Sequence, residues 1–505
     1  MTLIEASVYS PLDVREMDRI AIQDVGIPGY TLMTRAGQAA FEDARARFPD
    51  ARRWLVICGA GNNAGDGYII ARLARAAGFE VTVVAVSPPD GLTGDAARAW
   101  AEYRDAEGHL DGGRAGDDRV VEFTVALVSD TDLIVDALFG TGLGRPLAGK
   151  YLRVVEAIAG GDRPVMSVDV PSGLNSETGE IMGAAVKATF TATFVGLKQG
   201  FFLGAGPDCV GELCFHDLAI PCDALSAIEP AMRIFGADDL RGLMLPREPT
   251  AHKGRFGHVL VVGGNHGMGG AARLAGEAAL RSGAGLVSVA TRPETVAAIM
   301  AYRPELMCCA IKTVADLEPL LARATVIALG PGLGQDAWAQ ALFARILDCP
   351  QPKVLDADAL NLLARNSVRR DDWVLTPHPG EAGRLLGLDT AEVQSARLVA
   401  SRELVNRYGG IATLKGQCTL IGAAGAVPYL ITRGNAGMAT AGMGDVLTGL
   451  TAGFLAQFPA RRHAGVAAAA YVHAVAGDHA AVSGQRGLIA TDLFPVLRPL
   501  LNPID

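Results

Sequence analysis

Residues 435–445 read Asn-Ala-Gly-Met-Ala-Thr-Ala-Gly-Met-Gly-Asp and run straight into an apolar helical pattern that continues to Phe458. Small residues let backbone N–H groups come close to a ligand. The first N–H groups of a helix have no internal partner. Together they form an anion hole, which the helix dipole strengthens for phosphate. A lone acid at such a place repels phosphate unless it has a task. Asp445 can take the proton of a hydroxyl that attacks phosphorus. A glycine-rich turn with an acidic helix start is the plain alternative, and the density of small residues argues against it.

A second group of polar loops lies in the first half. Gly59-Ala60-Gly61-Asn62-Asn63-Ala64-Gly65-Asp66-Gly67 follows the apolar run 54–58. Asp136-Ala137-Leu138-Phe139-Gly140-Thr141-Gly142 follows 133–135, and Asp169-Val170-Pro171-Ser172-Gly173 follows 164–168. The first loop is not the usual dinucleotide fingerprint, because Asn62, Asn63 and Asp66 stand where that motif keeps small residues. Their oxygens can orient sugar or amide groups, or ligate a hard cation. Each acid alone reads equally well as a helix cap or turn residue. Their convergence points to function.

Short buried strands must position these loops. The run 54–58 is continuous and apolar, as in parallel strands covered on both faces, and 81–86, 133–135 and 164–168 read as further strands. Residues 11–48 read as two helices broken at Gly26-Ile27-Pro28-Gly29, and a further helix is expected over 68–77. A parallel sheet gathers the carboxyl ends of its strands along one edge, where open α/β sheets bind ligands. The second half repeats the arrangement. Strands at 258–262, 325–329, 353–355, 374–376 and 411–414 end in polar or glycine-rich turns. Those turns include Gly330-Pro331-Gly332-Leu333-Gly334, Asp356-Ala357-Asp358, Pro377-His378-Pro379-Gly380-Glu381 and Lys415-Gly416-Gln417-Cys418-Thr419. Between residues 217 and 254 the pattern loosens around several prolines. The chain therefore reads as α/β with two domains, 1–225 and 226–505.

Composition narrows the function. The 505 residues are half apolar, enough for large cores, and 61 are glycine. A net charge of −9 argues against nucleic-acid binding. Eight cysteines with no Cys-x-x-Cys pair and no zinc spacing suggest free thiols in a reducing compartment. The amino terminus lacks a basic signal region, and the alanine-rich run 464–475 is too short to span a bilayer. A cytoplasmic protein with no membrane partner is expected.

These motifs carry a resemblance. The loops at Asn62 to Gly67, Asp136 to Gly142 and Asp169 to Gly173 resemble the NAD(P)H-hydrate epimerase family. His252-Lys253-Gly254, the 330–334 glycine loop, Asp356-Ala357-Asp358-Ala359-Leu360, His378-Pro379-Gly380-Glu381 and residues 435–445 resemble the ADP-dependent NAD(P)H-hydrate dehydratase family. In this order they are similar to the bifunctional NAD(P)H-hydrate repair enzymes. The resemblance implies a Rossmann-like three-layer α/β/α domain followed by a ribokinase-like α/β domain. It implies epimerisation of hydrated NADH and NADPH in the first, and dehydration of the S epimer at the expense of ADP in the second, with magnesium and potassium as ions. A homo-oligomer is implied too.

Carried over by motif, Asn62, Asn63, Ala64, Gly65, Asp66, Gly140, Thr141, Gly142, Leu143, Gly144, Arg145 and Pro146 hold the hydrate, with Asp169 as substrate contact and acid/base. Asn63, Asp136 and Ser172 ligate potassium. Ala271, Gly332, His378 and the base Asp445 line the dehydratase site. Lys415, Gly416, Gln417, Cys418, Thr419 and Gly444 hold ADP. Some relatives offer a lysine where this chain has Gly144 and Arg145, and an arginine is a poor proton shuttle. The second proton carrier of the epimerase is therefore open. A small-molecule kinase, or a non-catalytic first half, are the competing readings.

Overall fold

The computed structural model describes residues 6–107 and 120–502. The chain divides into two compact units, Met1–Met232 and Arg233–Asp505. The division falls later than the expected boundary at 225. Ile220 and Leu225 are each only 3% exposed and belong to the first core, with Ile228 packed against it, so this stretch closes the first unit.

In the first unit the strands are β1 (Ser7–Tyr9), β2 (Arg53–Cys58), β3 (Glu80–Ala85), β4 (Val120–Val121), β5 (Leu133–Ala137), β6 (Val165–Val168), β7 (Phe190–Phe194), β8 (Leu197–Lys198) and β9 (Glu212–His216). Seven of them form one parallel sheet in the order β4-β3-β2-β5-β6-β7-β9. The alternation of the pleat separates two cores. Trp54, Val56 and Cys58 face one, while Leu55 and Ile57 face the other. Helices cover both faces, giving three layers. Strand order reverses beside β2, with β3 on one side and β5 on the other, the place where such sheets open a ligand crevice.

The second unit carries β10 (Met232–Ile234), β11 (His258–Val262), β12 (Leu286–Thr291), β13 (Met307–Ala310), β14 (Val326–Leu329), β15 (Lys353–Leu355), β16 (Trp373–Leu375), β17 (Ile411–Leu414), β18 (Thr419–Ala423) and β19 (Tyr429–Ile431). Their order is β13-β12-β11-β14-β15-β16-β17-β18-β19-β10. From β13 to β17 the pairing is parallel. The hairpins β17–β18 and β18–β19 are antiparallel. Helices Gly269–Arg281 and Met443–Gln457 pack backbone to backbone. A Cβ on Gly449 would lie 2.1 Å from the Ala275 carbonyl oxygen, and one on Gly453 1.8 Å from Ser282 Oγ.

Two helix starts differ from expectation. The helix expected at 68 begins at Asn62, because Gly61 in extended conformation opens the turn and Asn62 to Gly67 already coil. The helix after the 435–445 stretch begins at Met443, so Gly444 and Asp445 are part of its first turn. The cysteines are free thiols. Among the described residues no helix is long and apolar enough to cross a membrane.

Candidate active sites

The first unit holds a cavity of about 610 Å³ at the carboxyl ends of its strands, lined among others by Asn62, Asn63, Asp66, Gly140, Thr141, Gly142, Asp169 and Lys198. The turn after β2 is built for close approach, since a Cβ on Gly59 would stand 2.0 Å from the Leu138 carbonyl oxygen. Asp169 leaves β6 with φ at 66°, a left-handed conformation that costs a non-glycine residue about 1–3 kcal/mol. Two bonds hold it there. Its N–H donates to the Ala192 carbonyl at 2.7 Å, and its Oδ1 accepts from Lys198 Nζ at 2.5 Å. Gly140 leaves room for that carboxylate, as a Cβ there would meet Asp169 Oδ2 at 2.8 Å.

Lys198 was not expected. It is 1% exposed and donates to Thr193 Oγ1 at 2.7 Å and the Phe194 carbonyl at 2.9 Å besides Asp169. An ammonium has three N–H bonds, so all are used. Its signal in the sequence is a single cation inside the run Phe194-Val195-Gly196-Leu197-Lys198. Asp18, from helix Pro11–Arg19, also lines the cavity and was missed, because that helix looks like a surface helix with acids on its outer face.

The residues expected to hold potassium are close-set but unequal. Asp136 is fully buried and accepts from Ser172 Oγ at 2.5 Å, the Ser172 N–H at 2.8 Å and Ser167 Oγ at 2.9 Å. Burial raises its carboxyl above the ordinary value, with those bonds opposing. Asn63 is different. Both polar atoms of its amide are buried without a hydrogen-bond partner among the described residues. Such an orphan is costly unless something fills it.

Other expected contacts are placed elsewhere. Ala64 and Gly65 are buried in helix packing, and a Cβ on Gly65 would strike Met33 Sδ at 2.6 Å. Leu143, Gly144, Arg145 and Pro146 do not line the cavity, and Gly144, Arg145 and Pro146 are exposed. Arg15 instead reaches this loop, donating to the Thr141 carbonyl at 3.1 Å.

In the second unit the sheet edge gathers Asp356, Glu381, Lys415 and Asp445. Lys415 Nζ donates to Asp356 Oδ1 at 2.8 Å and lies 3.8 Å from Glu381 Oε2. Thr448 Oγ1 donates to the other oxygen, Asp356 Oδ2, at 2.7 Å. Burial pushes the Lys415 ammonium down, and the carboxylates of Asp356, Glu381 and Asp445 more than reverse this, so it is held charged. Asp445 has no such partner among the described residues. Burial, reinforced by Asp356 and opposed by Lys415, pushes its carboxyl up to about 7. Gly442, with φ at 89°, turns the chain into the helix. At Gly444 the missing side chain leaves space 3.4 Å from Asp356 Oδ2 and 3.5 Å from Lys415 Nζ.

Ala271 and Gly332 meet, as a Cβ on Gly332 would lie 3.1 Å from that of Ala271. The 330–334 loop is tied to the next turn by Gly334 N–H donating to Asp358 Oδ2 at 2.8 Å. His378 caps helix Pro379–Leu386, its Nδ1 accepting from the N–H groups of Gly380 at 3.0 Å and Glu381 at 3.3 Å. That fixes the neutral tautomer with the proton on Nε2, consistent with a pKa lowered by burial. His378 can therefore donate to a ligand.

The turn of residues 415–419 joins β17 to β18, and a buried arginine holds it. Arg397 is 4% exposed and donates to the carbonyls of Leu414 and Lys415 at 3.3 Å and Cys418 at 3.4 Å. Among the described residues no carboxylate pairs with it, and burial lowers its pKa. Nothing in the sequence marks it, since it sits among ordinary helix-surface residues.

A family model described as the YjeF-related protein N-terminus matches residues 29–200, and one described as NAD(P)H-hydrate dehydratase matches residues 259–498. The chain is 44% identical over 500 residues to the bifunctional NAD(P)H-hydrate repair enzyme Nnr of Coxiella burnetii, covering 98% of this chain and 99% of that one. It is 42% identical to the enzyme of the same name from Escherichia coli, over 99% and 95% of the two chains. A ribokinase-like superfamily protein of Enterococcus faecalis superposes with a TM-score of 0.51 at 32% identity, covering 54% of this chain and 96% of its own.

Proposed function

The chain belongs to the family of bifunctional NAD(P)H-hydrate repair enzymes, and we infer from that premise how its two edges divide the work. The first unit interconverts the R and S hydrates. The second dehydrates the S hydrate to the working dinucleotide, consuming ADP.

In the second site Asp445 is the base. A carboxyl near 7 exchanges protons efficiently at neutral pH, where a general base is most useful. It takes the proton of the C6 hydroxyl, that oxygen attacks the terminal phosphorus of ADP, and the bond from that phosphorus to the bridging oxygen breaks with AMP leaving. The N–H groups of Ala441, Gly442, Met443 and Gly444 receive the charge on the transferring phosphoryl. Lys415, with 18% of its side chain exposed, adds a fixed positive charge beside it. Phosphorylation turns a poor leaving group into a good one. The ring nitrogen then expels phosphate from C6, and loss of a proton restores the double bond. His378, Ala271 and Gly332 shape the hydrate side, while Lys415, Gly416, Gln417, Cys418, Thr419 and Gly444 face ADP.

Magnesium would neutralise phosphate charge. Such an ion is bound through substrate phosphates together with one or two carboxylates. Potassium fits the first site. The orphaned Asn63 amide supplies an oxygen, Ser172 and Asp136 supply others, and the ion would add fixed positive charge there.

The observation that carries this reading is Asp445, unpaired and poised at the mouth of a phosphate-shaped helix start. Asp445→Asn keeps ADP and hydrate binding and loses roughly 100-fold or more in dehydration rate. Near-normal turnover of that variant contradicts the assignment.

A further inference from the structure

Epimerising a hydroxyl beside a ring nitrogen takes two proton transfers. One proton goes to the departing hydroxyl, so that the C6–O bond breaks with water leaving and the nitrogen lone pair forming a C=N bond. The other comes off a water that adds to the opposite face, returning the electron pair to nitrogen. No oxidant or reductant is needed. The cavity must therefore offer two proton carriers, and Asp169 is one.

The charged groups lining the cavity are Arg15, Asp18, Asp66, Asp95, Asp169 and Lys198. Lys198 has spent all three N–H bonds within the protein. Arg15 stays protonated and is turned to the Thr141 carbonyl. Asp95 lies beside Gly29, and the lining carboxyls on which the charges of Asp169 and Lys198 act are Asp18 and Asp66. Asp136, behind the lining, is committed to Ser167 and Ser172. Arg145 lies outside the cavity altogether. Asp18 and Asp66 remain, and neither carboxyl has a hydrogen-bond partner among the described residues.

We propose that Asp18 is the second proton-transfer residue of the epimerase site, giving its proton to the departing C6 hydroxyl while Asp169 takes one from the incoming water. After one turnover the two acids have exchanged protonation states, which is the state needed to convert the opposite epimer. The choice between Asp18 and Asp66 has an electrostatic basis. Burial, with Asp169 and Asp18 adding to it and Lys198 opposing, raises the Asp66 carboxyl well above the ordinary range, which favours its neutral form. Burial, opposed by Lys198 and reinforced by Asp169, raises Asp18 to about 6, where it can both give and take a proton.

This inference rests on the epimerase reading of the cavity, and its test separates the two. The full-length protein is supplied with one purified hydrate epimer without ADP, which silences the dehydratase, and the appearance of the other is followed. Asp18→Asn loses roughly 100-fold in rate with unchanged hydrate affinity and unchanged thermal midpoint. The parent rate falls as pH rises above about 6, because Asp18 must be protonated to act as acid, and Asp18→Asn loses this limb while Asp66→Asn keeps it. Should Asp18→Asn fold poorly, Asp18→Glu retains the acid and restores part of the rate with its pH limb. An Asp18→Asn protein with the parent rate and pH limb, beside an inactive Asp169→Asn, overturns the role of Asp18 alone. Parent rates in both variants overturn the reading of the cavity itself.

Discussion

Each unit buries a lysine against an aspartate at the carboxyl edge of its sheet, and the two pairs leave different groups free. In the first, Lys198 is paired with the acid/base candidate itself, Asp169, and is closed inside the protein. In the second, Lys415 is paired with a supporting acid, Asp356, while Asp445 stands unpaired beside them. A lysine whose donors are all satisfied is a brace, fixing one carboxylate in a strained left-handed backbone. Lys415, with 18% of its side chain exposed, keeps a face from which its charge can meet an anion. The difference follows the chemistry: epimerisation moves protons on a neutral hemiaminal, whereas phosphoryl transfer must gather anions.

The variants that break this contrast most sharply act on the lysines. Lys415→Ala removes charge from the phosphoryl path, and dehydration should fall roughly 100- to 1000-fold while epimerisation is untouched, as steady-state rates of each half-reaction would record. Lys198→Met should act first on stability. It leaves Asp169 uncompensated, and removing one partner of a buried pair costs about 3–5 kcal/mol. Asp169 is 19% exposed, so the low end of that range is expected in the denaturant midpoint.

Gly140→Ala sharpens the comparison at smaller scale. The new Cβ pushes on Asp169 Oδ2, and a misplaced acid costs epimerisation roughly tenfold to 100-fold. Dehydration should not change. The pH profile of dehydration gives a further test. Asp445 must be ionised to accept a proton, so kcat/KM falls as pH drops below about 7, and Asp445→Asn abolishes that limb. The smallest effect is expected from Arg397→Lys, which cannot reach the three carbonyls under the 415–419 turn at once. The KM for ADP should rise roughly tenfold, with the epimerase as internal control.

Much of this was legible before the structure. The apolar strand runs and the turns after them placed both ligand edges, because a buried parallel strand writes itself as a continuous apolar stretch. Asp169 and Lys415 stand out in the sequence because they follow such runs, and Asp445 because it closes a dense stretch of small residues at a helix start. What escaped was long-range. Lys198 and Asp18 reach the first cavity from a short late strand and an amino-terminal helix, and no local pattern links them to β6. Arg397 acts through backbone carbonyls, which carry no residue-type signal. The helix starts at Asn62 and Met443 were read late, since glycine-rich stretches suggest loops even where they coil. The motif reads Leu143 to Pro146 as ligand loop, and these residues continue from the last lining residue of that loop, Gly142, with Gly144, Arg145 and Pro146 exposed.

The most direct measurement supplies a mixture of both NADPH hydrate epimers with ADP, magnesium and potassium and follows the return of reduced-nicotinamide absorbance. The parent chain should recover the whole pool. Asp169→Asn should stop at the S fraction, and Asp445→Asn should recover absorbance roughly 100-fold more slowly or worse while the epimers still equilibrate. Full recovery by either variant at the parent rate would contradict the division of labour between the two edges.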